Sequence, residues 1–327
     1  MQQWDKQQIS KKHTWRFRAW FAGILLLSGL IISVAHVGEI EQFVQLASKA
    51  HSAWLIAALL LQIATYFCVA RIWQMALGQG GMYSSMLSLA PLGVAKLFSD
   101  QAMPSGGMTG TVFFFAALKR RGVPPDLCMG MMLVSLISYY AAYLIVAMAS
   151  IVLLWFYHAI NPWIISIYFC FCLVAVIIPV GTLMVKHLTK REIPKWIKRV
   201  PGALNLLQPF AEAPLDLLRN PMLIITTILL QGAIFILDSI TLWVMLLAIG
   251  QHVSFFVAFP SFVLASIVTT IGPIPLGIGT FEAACVTMLR LLGIQLEPAL
   301  TATILLRGFT LWLPMLPGLW LTRRELR

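Results

Sequence analysis

Apolar runs of about 20 residues recur along the chain between short polar loops, the length a helix needs to cross a hydrocarbon core of about 30 Å. No sustained two-residue alternation accompanies them, so a membrane barrel is excluded. The pattern predicts an all-α polytopic membrane protein with full spans over 20–37, 53–77, 127–156, 163–185, 221–249 and 299–321.

Two apolar stretches break this rule. Residues 85–99 would make a helix only about 22 Å long. A polar, glycine-rich break from Asp100 to Gly110 comes next, then a still shorter apolar piece over 111–118 that ends on Lys119, Arg120 and Arg121. A helical hairpin that enters and leaves on the cytoplasmic side, over 85–118, fits length and charge together. The same form returns over 255–292, where an apolar piece runs into G-P-I-P-L-G-I-G at Gly272 to Gly279 and resumes at Thr280.

Composition agrees: the 327 residues are 60% hydrophobic and 11% charged, with a mean hydropathy of +0.87. A water-soluble globule is excluded. The net charge of +11 would suggest nucleic acid in a soluble protein, but here most Lys and Arg lie in the tails and loops. The positive-inside rule explains them, and no nucleic-acid partner is expected. That rule places both termini in the cytoplasm. Cys68, Cys128, Cys170, Cys172 and Cys285 show no paired spacing, and no histidine has a second ligand at metal spacing. Neither a disulfide framework, a metal site nor a cofactor is expected.

Sliding the chain against itself by 171 residues matches Pro104 with Pro275, Gly106 with Gly277, Thr109 with Thr280, Lys119 with Arg290, Gly122 with Gly293 and Asp126 with Glu297. The partner spans run in opposite directions by the charge rule, which predicts an inverted-topology repeat. The organisation is then a cytoplasmic tail over 1–18, a first half over 19–156, a second half over 157–321 with a basic cytoplasmic segment over 186–220, and a tail over 322–327. The hairpin apices, Pro104, Gly106, Gly107, Thr109, Pro275, Gly277, Gly279 and Thr280, allow the backbone to turn. Amides freed at the half-helix starts near Thr109 and Thr280 become donors for an anionic group.

Six ionisable residues lie inside the apolar segments: Arg71, Lys96, Asp100, Asp238, Glu282 and Arg307. Each costs roughly 2.5–3.5 kcal/mol facing lipid, so each is expected to face protein, water or substrate. Lys96 and Asp100 are four apart and can pair, and Glu282 and Arg307 form a second candidate pair. These pairs pin the hairpins, bind substrate, or do both. Arg71 can snorkel to the interface, and Asp238, on one helix face with Gln231, serves either bundle hydrogen bonding or proton coupling. There is no P-loop, nucleotide fold, or nucleophilic or acid–base set, so the chain is not expected to be an enzyme.

The run Gly272 to Glu282, Arg307, and the final L-P-M-L-P-G from Leu313 to Gly318 resemble the lysylphosphatidylglycerol synthase transmembrane, or flippase-like, family. Met103 to Gly107 and Arg71-Ile72-Trp73 are similar to its first half. The resemblance implies a lipid translocase of a bacterial inner membrane, whose partners are membrane lipids: anionic or aminoacylated phospholipids, or polyprenyl-linked glycolipids. The chain is expected to depart from the family by lacking the synthase domain. It implies that Pro275, Gly277, Gly279, Glu282 and Arg307 carry family motif positions. A lipid-modifying transferase, or a non-catalytic partner of a lipid-synthesis enzyme acting through the basic segment, are the alternatives, and a homo-oligomer is compatible with either.

Overall fold

A computed structural model describes residues 45, 46, 48, 50–102, 108–189, 216–272 and 277–326. The expected first span, the N-terminal tail and most of the basic segment lie outside these residues. So do apex residues Pro104, Gly106, Gly107 and Pro275, as does Arg327 at the end of the C-terminal tail.

The regular structure of the described residues is all helical: α1 Ser52–Gln79, α2 Met86–Ala102, α3 Met108–Arg120, α4 Pro125–Phe156, α5 Pro162–Thr189, α6 Asp216–Arg219, α7 Pro221–Ala248, α8 Phe255–Ile271, α9 Thr280–Leu291, α10 Leu296–Arg307, a π-turn Gly308–Trp312, and α11 Leu313–Leu326. The chain divides into two compact units, Met1–Ser48 and Lys49–Arg327, and the second contains all of these helices. Among the described residues, five segments are long and apolar enough to cross a membrane: α1, α4, Pro162–Met184 of α5, α7, and the composite Leu296–Glu325. At about 25 Å and 20 Å, α2 and α3 fall short of the core thickness, as α8 and α9 do.

The helix boundaries follow local chemistry. Pro125, Pro162 and Pro221 start α4, α5 and α7 where a missing N–H costs nothing. Asn220 caps α7 by accepting the Leu223 amide at 3.1 Å. The final span is not one uniform helix. Pro314 cannot donate to residue 310 and crowds its carbonyl, and the ladder opens into the π-turn just ahead of it.

Shifted forward by 171 residues, α1, α2, α3 and α4 fall within two residues of α7, α8, α9 and the α10 to α11 composite. The agreement extends to single bonds. After α3, Gly122 at φ 77° donates to the Lys119 carbonyl and Val123 to that of Leu118. After α9, Gly293 at φ 96° donates to Arg290 and Ile294 to Leu289. Both are left-handed glycine stops of the Schellman type, at matched positions.

The equivalent helices α1 and α7 pack together and run antiparallel. The His51 amide at the start of α1 donates to the Ala248 carbonyl at the end of α7. Around this seam, α2 packs on α1, α3 and α11, while α8 packs on α7, α9 and α4. Each short helix pair therefore leans on its own long helix and on the last span of the other half.

The two ends of the first hairpin lie together. Arg121, just past α3, donates to the Ser88 hydroxyl at 3.0 Å in the first turn of α2, and pairs with Glu325 of α11 at 2.7 Å. The start of α2, the end of α3 and the end of α11 thus share one side of the bundle. Outward faces of α4, α5 and α7 expose Ile145, Trp155, Phe169, Ile177 and Leu229. In water such surface would be a liability; against lipid it is the solvated face.

Candidate functional site

A cavity of about 540 Å³ lies between the halves, within the range of about 300–1,000 Å³ usual for ligand pockets. Gln62, Thr65 and Tyr66 of α1, Lys96 and Asp100 of α2, Thr111 and Phe114 of α3, Ser135, Tyr139 and Tyr140 of α4, Gln231 and Asp238 of α7, and Thr310 of the π-turn line it. Of the six candidate charges, the structure gathers Lys96, Asp100 and Asp238 here.

Lys96 Nζ donates to Asp100 Oδ2 at 2.8 Å, one helical turn away. The other oxygen, Oδ1, accepts the Gly110 amide in the first turn of α3, also at 2.8 Å. A carboxylate on the first leg of the hairpin thereby caps the second. Gly110 is required for this approach, because a Cβ there would overlap the Asp100 carboxyl group.

Asp238 sits at the α1–α7 seam, where Oδ1 accepts Gln62 Nε2 at 3.0 Å. The same amide donates to Thr241 Oγ1 at 3.0 Å, and Gln62 is only 5% exposed. One polar side chain of α1 is therefore tied to two residues of α7. Sequence reasoning paired Asp238 with Gln231, and both line the cavity. It missed Gln62, although a glutamine in the middle of an apolar span was the available signal.

Glu282 and Arg307 form the second pair away from the cavity wall. Arg307 Nε meets Glu282 Oε1 at 2.6 Å between α10 and α9, and the guanidinium lies 5.2 Å from the centre of the Phe281 ring. Glu282 Oε2 accepts the Gly279 amide at 2.7 Å, so this carboxylate caps the start of α9. Gly279 and Gly277 have positive φ, 78° and 63°. A Cβ at Gly277 would run into the Thr269 side chain, while at Gly279, where a Cβ would meet nothing, the positive φ alone favours glycine.

One sequence expectation changes here. Free half-helix amides are expected as donors for an anion; in the structure Gly110 is held by Asp100 and Gly279 by Glu282. Arg71, expected to snorkel or to bind substrate, lies on the exposed side of α1, donating to Gln74 Oε1 at 2.6 Å, outside the cavity lining. Of the remaining apex residues, Thr109 lies in the first turn of α3 next to Gly110, and Thr280 opens α9, where its hydroxyl is buried without a hydrogen-bond partner among the described residues. No cluster of three or more metal-ligating side chains occurs among the described residues.

A family model described as the lysylphosphatidylglycerol synthase TM region matches residues 20–318. The chain belongs to that family. This makes it a multi-pass membrane protein of a family connected with lipid metabolism or translocation. No curated protein matches the chain. Both hairpins and the cavity fall inside the region shared with the lysylphosphatidylglycerol synthase TM family.

Proposed function

We propose that the protein is a lipid translocase of the inner membrane, carrying a phospholipid or polyprenyl-lipid headgroup through the cavity between its halves while the acyl chains stay in the bilayer. In this reading the two short helix pairs are re-entrant hairpins and the halves form an inverted-topology repeat, the architecture used for alternating access. The observation that carries it is the cavity: one amine and two carboxylates within walls built by helices that otherwise face lipid. Charges at that depth are costly, and they are retained where they serve a polar passenger.

The lining also limits the passenger. Lys96 is balanced by Asp100, which leaves Asp238 as the one lining charge without a charged partner among the described residues. Tyr66, Trp73, Phe114, Tyr139 and Tyr140 supply aromatic walls suited to an ammonium group. A headgroup bearing an amine beside its phosphate can place the amine at Asp238 and the phosphate near Lys96. The sequence carries no P-loop motif, and in this reading movement is downhill or driven by an ion.

The test is reconstitution. Purified protein in liposomes should move a fluorescent aminophospholipid between leaflets faster than protein-free vesicles do. Lys96→Met should slow the movement at least tenfold while the protein remains monodisperse and melts normally. Translocation by Lys96→Met at the wild-type rate would remove the cavity from the pathway.

A further inference from the structure

Asp238 is positioned differently from the other charges of the cavity wall and from the Glu282–Arg307 pair. Lys96 and Asp100 satisfy each other, as do Arg307 and Glu282. Asp238 has a neutral amide, Gln62, as its hydrogen-bond partner among the described residues, and it faces the cavity. It also stands on the seam between α1 and α7, the equivalent helices of the two halves, so a shift of one half against the other moves Gln62 relative to Asp238.

Asp238 shares the cavity with Tyr66 of α1, Lys96 and Asp100 of α2, and Tyr139 and Tyr140 of α4, and the lining cation, Lys96, is already paired with Asp100. Helix α8, also packed on α7, contains no titratable side chain. Helix α10 contributes Arg307, already paired, and the exposed Glu297, while α6 carries Asp216 and Arg219 beside the first turn of α7, away from Asp238. The lining therefore sums to one negative charge with Asp238 ionised and to zero with it protonated.

A lone carboxylate at this depth is stabilised by neutralisation, either by a proton or by a cationic ligand. The two cannot be held at once, because a protonated carboxyl no longer attracts an ammonium group. We infer that Asp238 is an exchange site at which the ammonium group of the transported lipid displaces a proton. The O–H bond of the carboxyl breaks, the proton passes to cavity water and leaves as hydronium, and the ammonium takes its place against the carboxylate. Transport in the reverse sense returns the proton. This rests on the translocase reading and adds the driving ion to it.

The experiment uses the full chain in liposomes with a fluorescent aminophospholipid, the membrane potential clamped at zero, and a pH difference of one unit. One-for-one exchange enriches the lipid about tenfold in the leaflet facing the acidic side, since one pH unit is a tenfold ratio of protons. Asp238→Asn should move lipid more slowly and leave it evenly distributed, and Asp238→Glu should restore the enrichment. As a second measurement, octylammonium binding to the solubilised wild type should weaken as pH falls, and that of Asp238→Asn should not depend on pH. Wild-type protein that moves lipid but distributes it evenly, or follows a sodium gradient at uniform pH, overturns the exchange while leaving translocation intact. Protein that moves no lipid at all removes the translocase reading and the exchange with it.

Discussion

Each hairpin suspends a carboxylate between a cation and a backbone amide at the start of its second leg, but the two reach that arrangement from different positions. In the first, Asp100 on the incoming leg holds Lys96 and the Gly110 amide. In the second, Glu282 on the outgoing leg holds Arg307 and the Gly279 amide. At a shift of 171 residues, Lys96 and Asp100 correspond to Ile267 and Ile271, and Glu282 and Arg307 to Thr111 and Leu136. The repeat has kept the backbone and exchanged the charged positions. The two pairs differ in exposure as a result: the side chains of Lys96 and Asp100 are 32% and 21% exposed, those of Arg307 and Glu282 only 10% and 14%. One pair stands where a ligand can compete for it, and the other is enclosed as part of the frame.

Breaking the enclosed pair should have the largest effect. Arg307→Ala leaves Glu282 buried without its cation and should destabilise the protein by about 3–5 kcal/mol. Replacing both residues with methionine should recover much of that loss, since no charge is then stranded. Thermal melting in a single detergent distinguishes these variants. If Arg307→Ala melts like the wild type, the second hairpin is not a fixed frame.

The shared device, a carboxylate cap, is tested more gently at Gly110. Gly110→Ala expels the Asp100 carboxyl from the α3 amide and should cost about 0.5–2 kcal/mol, the range for a lost helix cap. Asp100→Asn keeps an acceptor for that amide, so it should be milder than Gly110→Ala. Lys96→Met should cost still less, about 0.2–1 kcal/mol, because an exposed pair is screened by water. A melting shift for Lys96→Met as large as that for Arg307→Ala would erase the distinction between the hairpins.

The sequence carried the repeat, because the 171-residue register rests on Pro and Gly that the backbone demands. The stops at Gly122 and Gly293 show this directly. It also carried both ion pairs, since a four-residue helical spacing places Lys96 against Asp100 and a charge cannot face lipid. The contacts it did not carry depend on side-chain reach across space. Nothing local says that Asp100 will accept an amide ten residues on, or that Gln62 will cross to an aspartate 176 residues away. The π-turn was hidden as well, although Pro314 is its cause: the same proline could have kinked the helix instead. That opening brings Thr310 into the cavity wall, while Arg307, one turn earlier, stays outside it.

The smallest perturbation compares access at the two sites without disturbing either. Cys285 is fully buried beside the Glu282–Arg307 pair, and Ser135 faces the cavity near Lys96 and Asp100. In a background where Cys68, Cys128, Cys170 and Cys172 are replaced by alanine, Ser135→Cys should react with a water-soluble, membrane-impermeant maleimide, and Cys285 should not. The substitution exchanges one hydroxyl oxygen for sulfur in a partly open wall, so melting should change by less than about 0.5 kcal/mol. A headgroup analogue in the cavity should slow labelling at position 135 by covering the thiol. The decisive comparison is within one preparation: equal labelling at both positions in folded protein would mean that water reaches the two hairpins alike, and the exposure difference between the ion pairs would then have no functional meaning.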